Sequence, residues 1–310
     1  MLKRFWYNLL GPAILWVAAL SFVLAASAPA ADSQFTINSG AELADDSVNL
    51  DVGYVPTPMA IVDAMFSLCA PGPKDFLIDM GSGDGRIVIT AAKRFGIRAR
   101  GVDLNPKLIA LSKQYALAEG VADRTEFVVQ DIFLTDIRAA DVVTMYLLPE
   151  VNLKLRPKLL RELKPGARIV SHDYHLGGWR PDKIVLLEKI KAESDDGILY
   201  FWVVPSKVAG AWRWRVELRG YAQDFILELQ QNYQDINGTA RNQGERRPIF
   251  NAGLTGDHIR FSLVSEAGGR IIRQDYDGVV SGDAIEGKVR ISGATEEKQL
   301  EWKAVGRLTD

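Results

Sequence analysis

Between Tyr54 and Val204, short apolar runs alternate with longer stretches in which apolar residues recur every three or four positions. The runs at 76–80, 99–103, 127–130, 141–145 and 168–171 have the length of buried strands. Ile61, Val62, Met65, Phe66 and Cys69 form a helical stripe, with Thr57 expected as its cap, Pro58 in its first position and Pro71-Gly72-Pro73 ending it. A second helix is expected over 86–95, closed by Gly96. A third is capped by Asn105 and closed by Gly120, with Val121 beyond it. Helical material at 151–163 is expected to be divided by Pro157, and 183–190 with 199–204 reads as a final antiparallel pair. Strands alternating with helices predict an α/β domain over 51–205, built on a mostly parallel seven-stranded sheet covered on both faces. After Pro205-Ser206-Lys207 the period changes to two, as in Trp212-Arg213-Trp214-Arg215-Val216, 225–230, 258–264 and 287–291. Asn237-Gly238, Gly256-Asp257, Asp277-Gly278 and Ser281-Gly282-Asp283 read as turns. Residues 210–308 are therefore expected to form a small antiparallel barrel or sandwich.

Candidate chemistry gathers at the strand ends of the first domain. Phe76-Leu77-Ile78 runs into Asp79-Met80-Gly81-Ser82-Gly83-Asp84-Gly85, and Gly101-Val102-Asp103 follows about twenty residues on. Strand, glycine-rich turn, helix and a second strand ending in a carboxylate describe a nucleoside-cofactor site, with Asp103 placed for two ribose hydroxyls. The order Gly-x-Gly-x-Gly differs from the Gly-x-Gly-x-x-Gly that seats a pyrophosphate. Asp79 and Asp84 would repel a pyrophosphate and attract the ammonium and sulfonium of S-adenosylmethionine. Asp131, or the adjacent Ile132 N–H, is placed to meet an adenine.

These segments resemble the class I methyltransferases. The similarity is closest to the protein-lysine methyltransferases that include the ATP synthase c-subunit lysine methyltransferases. It rests on Tyr54-Val55-Pro56-Thr57-Pro58, Gly81-Ser82-Gly83-Asp84-Gly85-Arg86-Ile87-Val88, Gly101-Val102-Asp103-Leu104-Asn105-Pro106 and Tyr146-Leu147-Leu148-Pro149-Glu150. It implies a Rossmann-like domain that holds S-adenosylmethionine through Tyr54, Thr57, Asp79, Gly81, Ser82, Gly83, Gly85, Arg86, Asp103, Leu104, Asn105, Asp131 and Ile132. It also implies a protein substrate with an accessible lysine, a membrane protein among the targets it allows.

Methyl transfer from a sulfonium is an in-line displacement that needs an aligned, unprotonated lone pair on the acceptor. The segment 144–150 leaves the fourth strand without the Asn-Pro-Pro-Tyr or Asp-Pro-Pro-Tyr pattern associated with planar nitrogens. Tyr146 and Glu150 are the candidates for the acceptor channel. In Ser171-His172-Asp173-Tyr174-His175, Asp173 is the candidate proton acceptor and His172 its partner. His-Asp-x-His in one loop is too small a set for a metal, and none is expected. A small-molecule amine or hydroxyl acceptor, or a protein that binds the cofactor without catalysis, are the alternatives.

Composition narrows the partners. With 37 basic and 39 acidic side chains the net charge is -2, which offers a polyanion no general attraction, so no nucleic-acid substrate is expected. The single Cys69 is expected to be a buried hydrophobe. Lys3 and Arg4 precede an apolar run over 9–26, and Ala28-Pro29-Ala30 follows it. Residues 1–30 are thus expected to be a signal peptide or membrane anchor, with 31–50 a lead-in. The expected location is exported or membrane-anchored with the catalytic domain on the non-cytoplasmic side; a cytoplasm-facing membrane association is the alternative.

Overall fold

α1 (Met59–Cys69) buries Ile61, Val62, Met65, Phe66 and Cys69 on one side, as the stripe predicts. The computed structural model describes residues 54–187, 197–218, 221–267, 269–293 and 297–308. The leader and lead-in read at 1–50 lie outside the described residues, as do 188–190 of the strand expected at 183–190. Among the described residues no helix is long and apolar enough to cross a membrane.

The first domain is a seven-stranded sheet in the order β3-β2-β1-β4-β5-β7-β6. Its strands are β1 (Phe76–Met80), β2 (Arg98–Asp103), β3 (Thr125–Val129), β4 (Val142–Met145), β5 (Arg168–His172), β6 (Lys183–Leu187) and β7 (Gly197–Val203). β1 to β5 run parallel, and β7 is antiparallel to both β5 and β6, so the sheet is mixed. Successive strand residues feed opposite layers. Leu77 and Val142 pack with α1 and α2 (Arg86–Phe95), whereas Ile78, Val143 and Met145 pack with Leu155 and Leu159 of α4 (Pro149–Glu162). α3 (Pro106–Ala118) opens as expected, with the Asn105 side chain accepting from Lys107 N at 2.9 Å.

Two helix expectations are corrected. Thr57 does not cap α1; Pro58 occupies the N-cap position, and the Thr57 carbonyl instead accepts from Arg86 Nη1 at 2.8 Å. Pro157 does not divide α4, which runs unbroken from 149 to 162. Buried Leu155 and Leu159 on either side of Pro157 anchor the helix to the sheet, which outweighs the missing N–H.

The second domain is one nine-stranded antiparallel sheet, not a two-sheet sandwich. Its strands are β8 (Gly210–Leu218), β9 (Tyr221–Asn232), β10 (Asp235–Asn242), β11 (Glu245–Pro248), β12 (Phe250–Thr255), β13 (His258–Ala267), β14 (Arg270–Ser281), β15 (Ala284–Ser292) and β16 (Glu297–Leu308). The first and last strands pair, and only Ile249 separates β11, which pairs with β10, from β12, which pairs with β13. The sheet therefore curls into a near-closed barrel. Trp214, Phe225, Phe261, Tyr276 and Trp302 meet in its core. Gly256-Asp257 and Gly282-Asp283 are turns, but Asn237-Gly238 and Asp277-Gly278 lie inside β10 and β14. Both glycines take inward positions where neighbours leave no space. A Cβ on Gly238 would meet Glu228 O at 2.5 Å, and one on Gly278 would meet Ile285 at 2.9 Å.

Candidate active site

The glycine-rich loop folds back on β2, with Gly81 N and Ser82 N both donating to Val102 O at 2.8 and 2.9 Å. At Gly83 the backbone has φ 54, and a Cβ there would run into the ring of Tyr54. Tyr54 thus lies against the loop and closes one side of a cavity of about 320 Å³. The cavity lies beyond the C-terminal ends of β1 to β4, where a parallel sheet collects ligands. Asp79, Asp103, Asp131 and Tyr146 contribute to its wall from those four strand ends.

The carboxylates play different parts. Asp103 sits at the tip of β2, its oxygens accepting from Gly83 N and Asn105 N, each at 2.9 Å. Those bonds fix its orientation and leave further lone pairs for ligand hydroxyls. Asp84 lines the cavity and is held by Arg86 through Nε at 3.0 Å and Nη2 at 2.7 Å, so its charge is partly compensated. The same guanidinium bonds to Thr57 O and ties the 54–57 segment to the loop. Asp79 is 2% exposed, and its Oδ1 accepts from Thr144 Oγ1 at 2.7 Å. Burial pushes its pKa up to about 7, against the Thr144 hydrogen bond, with the nearby Asp103 and Asp84 adding to the rise. A buried carboxylate of this kind is stabilised by a cationic ligand. Burial, with Asp84 next, likewise holds the Tyr54 phenol well above its ordinary value.

The residues present fit S-adenosylmethionine. Asp79 answers a positive group, Asp103 answers ribose hydroxyls, and Leu104, Ile132 and Phe133 supply apolar wall on either side of the β2 and β3 tips. Asp131 closes a tight turn, with Oδ1 accepting from Phe133 N at 2.8 Å.

At the acceptor end, Tyr146 lines the cavity with Leu147 and Val151. Behind it lies His172, 3% exposed, the two ring centroids 4.0 Å apart. His172 Nε2 is 3.5 Å from Asp173 Oδ1, and that oxygen accepts from Ile198 N at 3.1 Å. The structure therefore groups Tyr146, His172 and Asp173, but only Tyr146 reaches the cavity wall. Glu150 is exposed on the first turn of α4 and is not among the residues that line the cavity. His175 is also exposed and its ring meets Tyr200, so the two imidazoles do not converge.

Of the cofactor-site expectations, Tyr54, Thr57, Asp79, Gly81, Ser82, Gly83, Arg86, Asp103, Leu104, Asp131 and Ile132 line the cavity. Gly85 and Asn105 stand outside it. A Cβ on Gly85 would meet Phe127 at 2.7 Å, so that glycine serves loop–strand packing, and Asn105 serves the start of α3. Sequence reasoning missed Thr144, the partner of Asp79 across the β1–β4 pair. Its signal was a lone hydroxyl in the buried strand Val142-Val143-Thr144-Met145. It also missed Leu147, Val151 and Phe133, whose apolar character is indistinguishable from core packing.

The family model of the ANTKMT methyltransferase domain matches residues 79–183. A protein-lysine N-methyltransferase of Saccharolobus islandicus is 44% identical over 154 residues, covering 49% of this chain and 94% of that relative. The human ATP synthase c-subunit lysine N-methyltransferase is 39% identical over 108 residues, which is 35% of this chain and 46% of the human protein. A solved structure described as an RNA methyltransferase from Salinibacter ruber with S-adenosyl-L-homocysteine is 45% identical. It covers 50% of this chain and 96% of its own, with a TM-score of 0.47. The chain is an S-adenosylmethionine-dependent methyltransferase and belongs to the protein-lysine methyltransferase family that includes the ATP synthase c-subunit enzymes.

Proposed function

We propose that the acceptor is the ε-amine of a lysine in a protein substrate. The observation that carries this is the wall at the β4 end: a tyrosine ring, Leu147 and Val151, with no described cation in the cavity wall except Arg86. Arg86 is already committed to Asp84. Such a wall suits an aliphatic ammonium approaching an aromatic face and offers little to a phosphate backbone.

S-adenosylmethionine, when bound, supplies the electrophilic methyl group. Asp79 would hold it by charge and Asp103 by hydrogen bonds. Tyr146 meets the incoming amine and orients it, and His172 and Asp173 act through Tyr146 by fixing its ring. A lysine amine has an unperturbed pKa of about 10.4 and must give up its proton, to solvent water, before its lone pair displaces the methyl group from sulfur. Entry into an apolar channel beside a second positive charge favours that loss.

We further propose that residues 1–30 direct the protein into or across a membrane, and that its substrates are membrane or envelope proteins. The support is the basic start followed by the apolar run. The mature N-terminal residue and protease accessibility in intact cells would test it.

The acceptor is tested by incubating the full-length protein with labelled S-adenosylmethionine and, separately, with envelope proteins, small amines and RNA. Label recovered on lysine in tryptic peptides is the expected result. Label only in a metabolite or only in RNA would replace the lysine reading.

A further inference from the structure

The barrel meets the first domain at a place that bears on the acceptor. β9 and β10 are joined by Tyr233 and Gln234, and Tyr233 turns the hairpin with φ 55. Its ring stacks on Trp179 at 5.8 Å, the planes 13° apart, and Arg156 of α4 lies 6.0 Å over it. Gln234 Nε2 donates to Arg180 O at 2.5 Å, and Arg180 pairs with Asp235 at 2.7 Å. Among the described residues, Tyr233 is the one barrel residue packed into the core layer that holds Met145, Leu155 and Trp179.

The segment gripped in this way is the connection from 173 to 182, which begins with Asp173 and Tyr174. Asp173 has φ 62, a conformation that a side chain other than glycine keeps only when its surroundings hold it. Asp173 itself is held by β7, its N–H donating to Ile198 O at 2.7 Å and its Oδ1 accepting from Ile198 N, and the residues after it are held by one face of α4. Asn152 Nδ2 donates to Ser171 Oγ at 3.2 Å and to Tyr174 O at 3.0 Å. One turn further on, Arg156 Nη1 donates to Leu176 O at 2.9 Å. Arg156 therefore touches both the loop and the barrel hairpin. The Tyr174 ring in turn lies parallel to Tyr146, 6.4 Å away. Contacts thus run without a break from the hairpin tip to the acceptor wall.

The barrel hairpin rests on the loop behind Tyr146 and not on the cofactor loop.

We propose that Tyr233 and Arg156 are positioning residues for the acceptor: the barrel hairpin holds the 173–178 loop beside Tyr146 and leaves cofactor binding untouched. This rests on the reading that the acceptor enters along the Tyr146 side. Without the Tyr233 ring, one face of Trp179 is bare and Arg156 loses the neighbour that keeps it on Leu176 O.

The test compares full-length Tyr233→Ala and Tyr233→Phe by hydrogen exchange at the amides of Asp173, Gly177 and Trp179, which bond to Ile198 O, His175 Nδ1 and Leu176 O. Exchange is expected to be at least tenfold faster in Tyr233→Ala, unchanged in Tyr233→Phe, and unchanged in β1 and β2. S-adenosylhomocysteine affinity should stay within twofold, while KM for the acceptor rises at least fivefold and kcat moves less. Where Tyr233→Ala disrupts the barrel, Arg156→Met should give the same pattern from the α4 side. Unaltered exchange in both alanine and methionine variants, or an equal loss of S-adenosylhomocysteine affinity, would overturn the proposal. Exchange needs no acceptor, so its result stands apart from the identity of the methylated group.

Discussion

Asp79 carries an energetic cost in the free protein that a cationic ligand relieves. Its carboxyl pKa lies near 7 in the fold against 3.8 for an ordinary aspartate, so the folded state holds a proton that the unfolded chain has released between those values. Stability should therefore fall as pH rises from about 4 to about 7, by on the order of 4 kcal/mol, and level off above. Asp79→Asn should raise the melting temperature of the ligand-free protein at pH 8 and remove that slope. In the wild type, S-adenosylmethionine affinity should increase between pH 5 and 7 as the carboxylate ionises, and in Asp79→Asn it should be weak and flat; melts and calorimetry at matched pH check both. Tyr146 allows a separate measurement. If its ring face orients the amine, Tyr146→Phe should keep most of the activity, whereas Tyr146→Leu should lose roughly 3- to 30-fold in kcat/KM. Asp79 and Asp103 were legible in the sequence because a strand end beside a glycine-rich turn is a local pattern. The pairing of Asp84 with Arg86 was not, since counting charges does not reveal which of them are already bonded.

Helices and strands of the first domain followed their periodicity closely, and the departures have local causes. Proline in α4 is tolerated because Leu155 and Leu159 bury on both sides of it, so tertiary packing decides where propensity alone predicts a break. Pro157→Ala should then raise the melting temperature, by an amount worth about 1 kcal/mol or more, since it restores a donor within an existing helix. An unchanged or lower melting temperature would mean that proline's restriction of the unfolded chain matters more. The Asn-Gly and Asp-Gly pairs in β10 and β14 show the opposite limit. Both are strong turn signals, yet inward glycines were needed where strands and the Trp302 ring approach closely. Only the neighbouring strands, distant in sequence, make that need visible.

At the scale of the molecule, the change of period after residue 205 marks where the nine-stranded sheet begins, while its closure into one curled sheet depended on the β8–β16 pairing across about ninety residues. How the barrel bears on catalysis was not legible either, because Tyr233 and Trp179 are ordinary aromatics until the fold stacks them. The cavity at the ends of β1 to β4, by contrast, follows directly from the first-domain pattern, and the whole functional account depends on what it holds. Calorimetric titration of S-adenosylmethionine into the wild-type protein and into Asp103→Ala tests this most directly. One equivalent should bind to the wild type, and the substitution should weaken binding on the order of 100-fold by removing charged hydrogen bonds. A folded wild-type protein that gives no heat, or an Asp103→Ala protein that binds equally well, would contradict it.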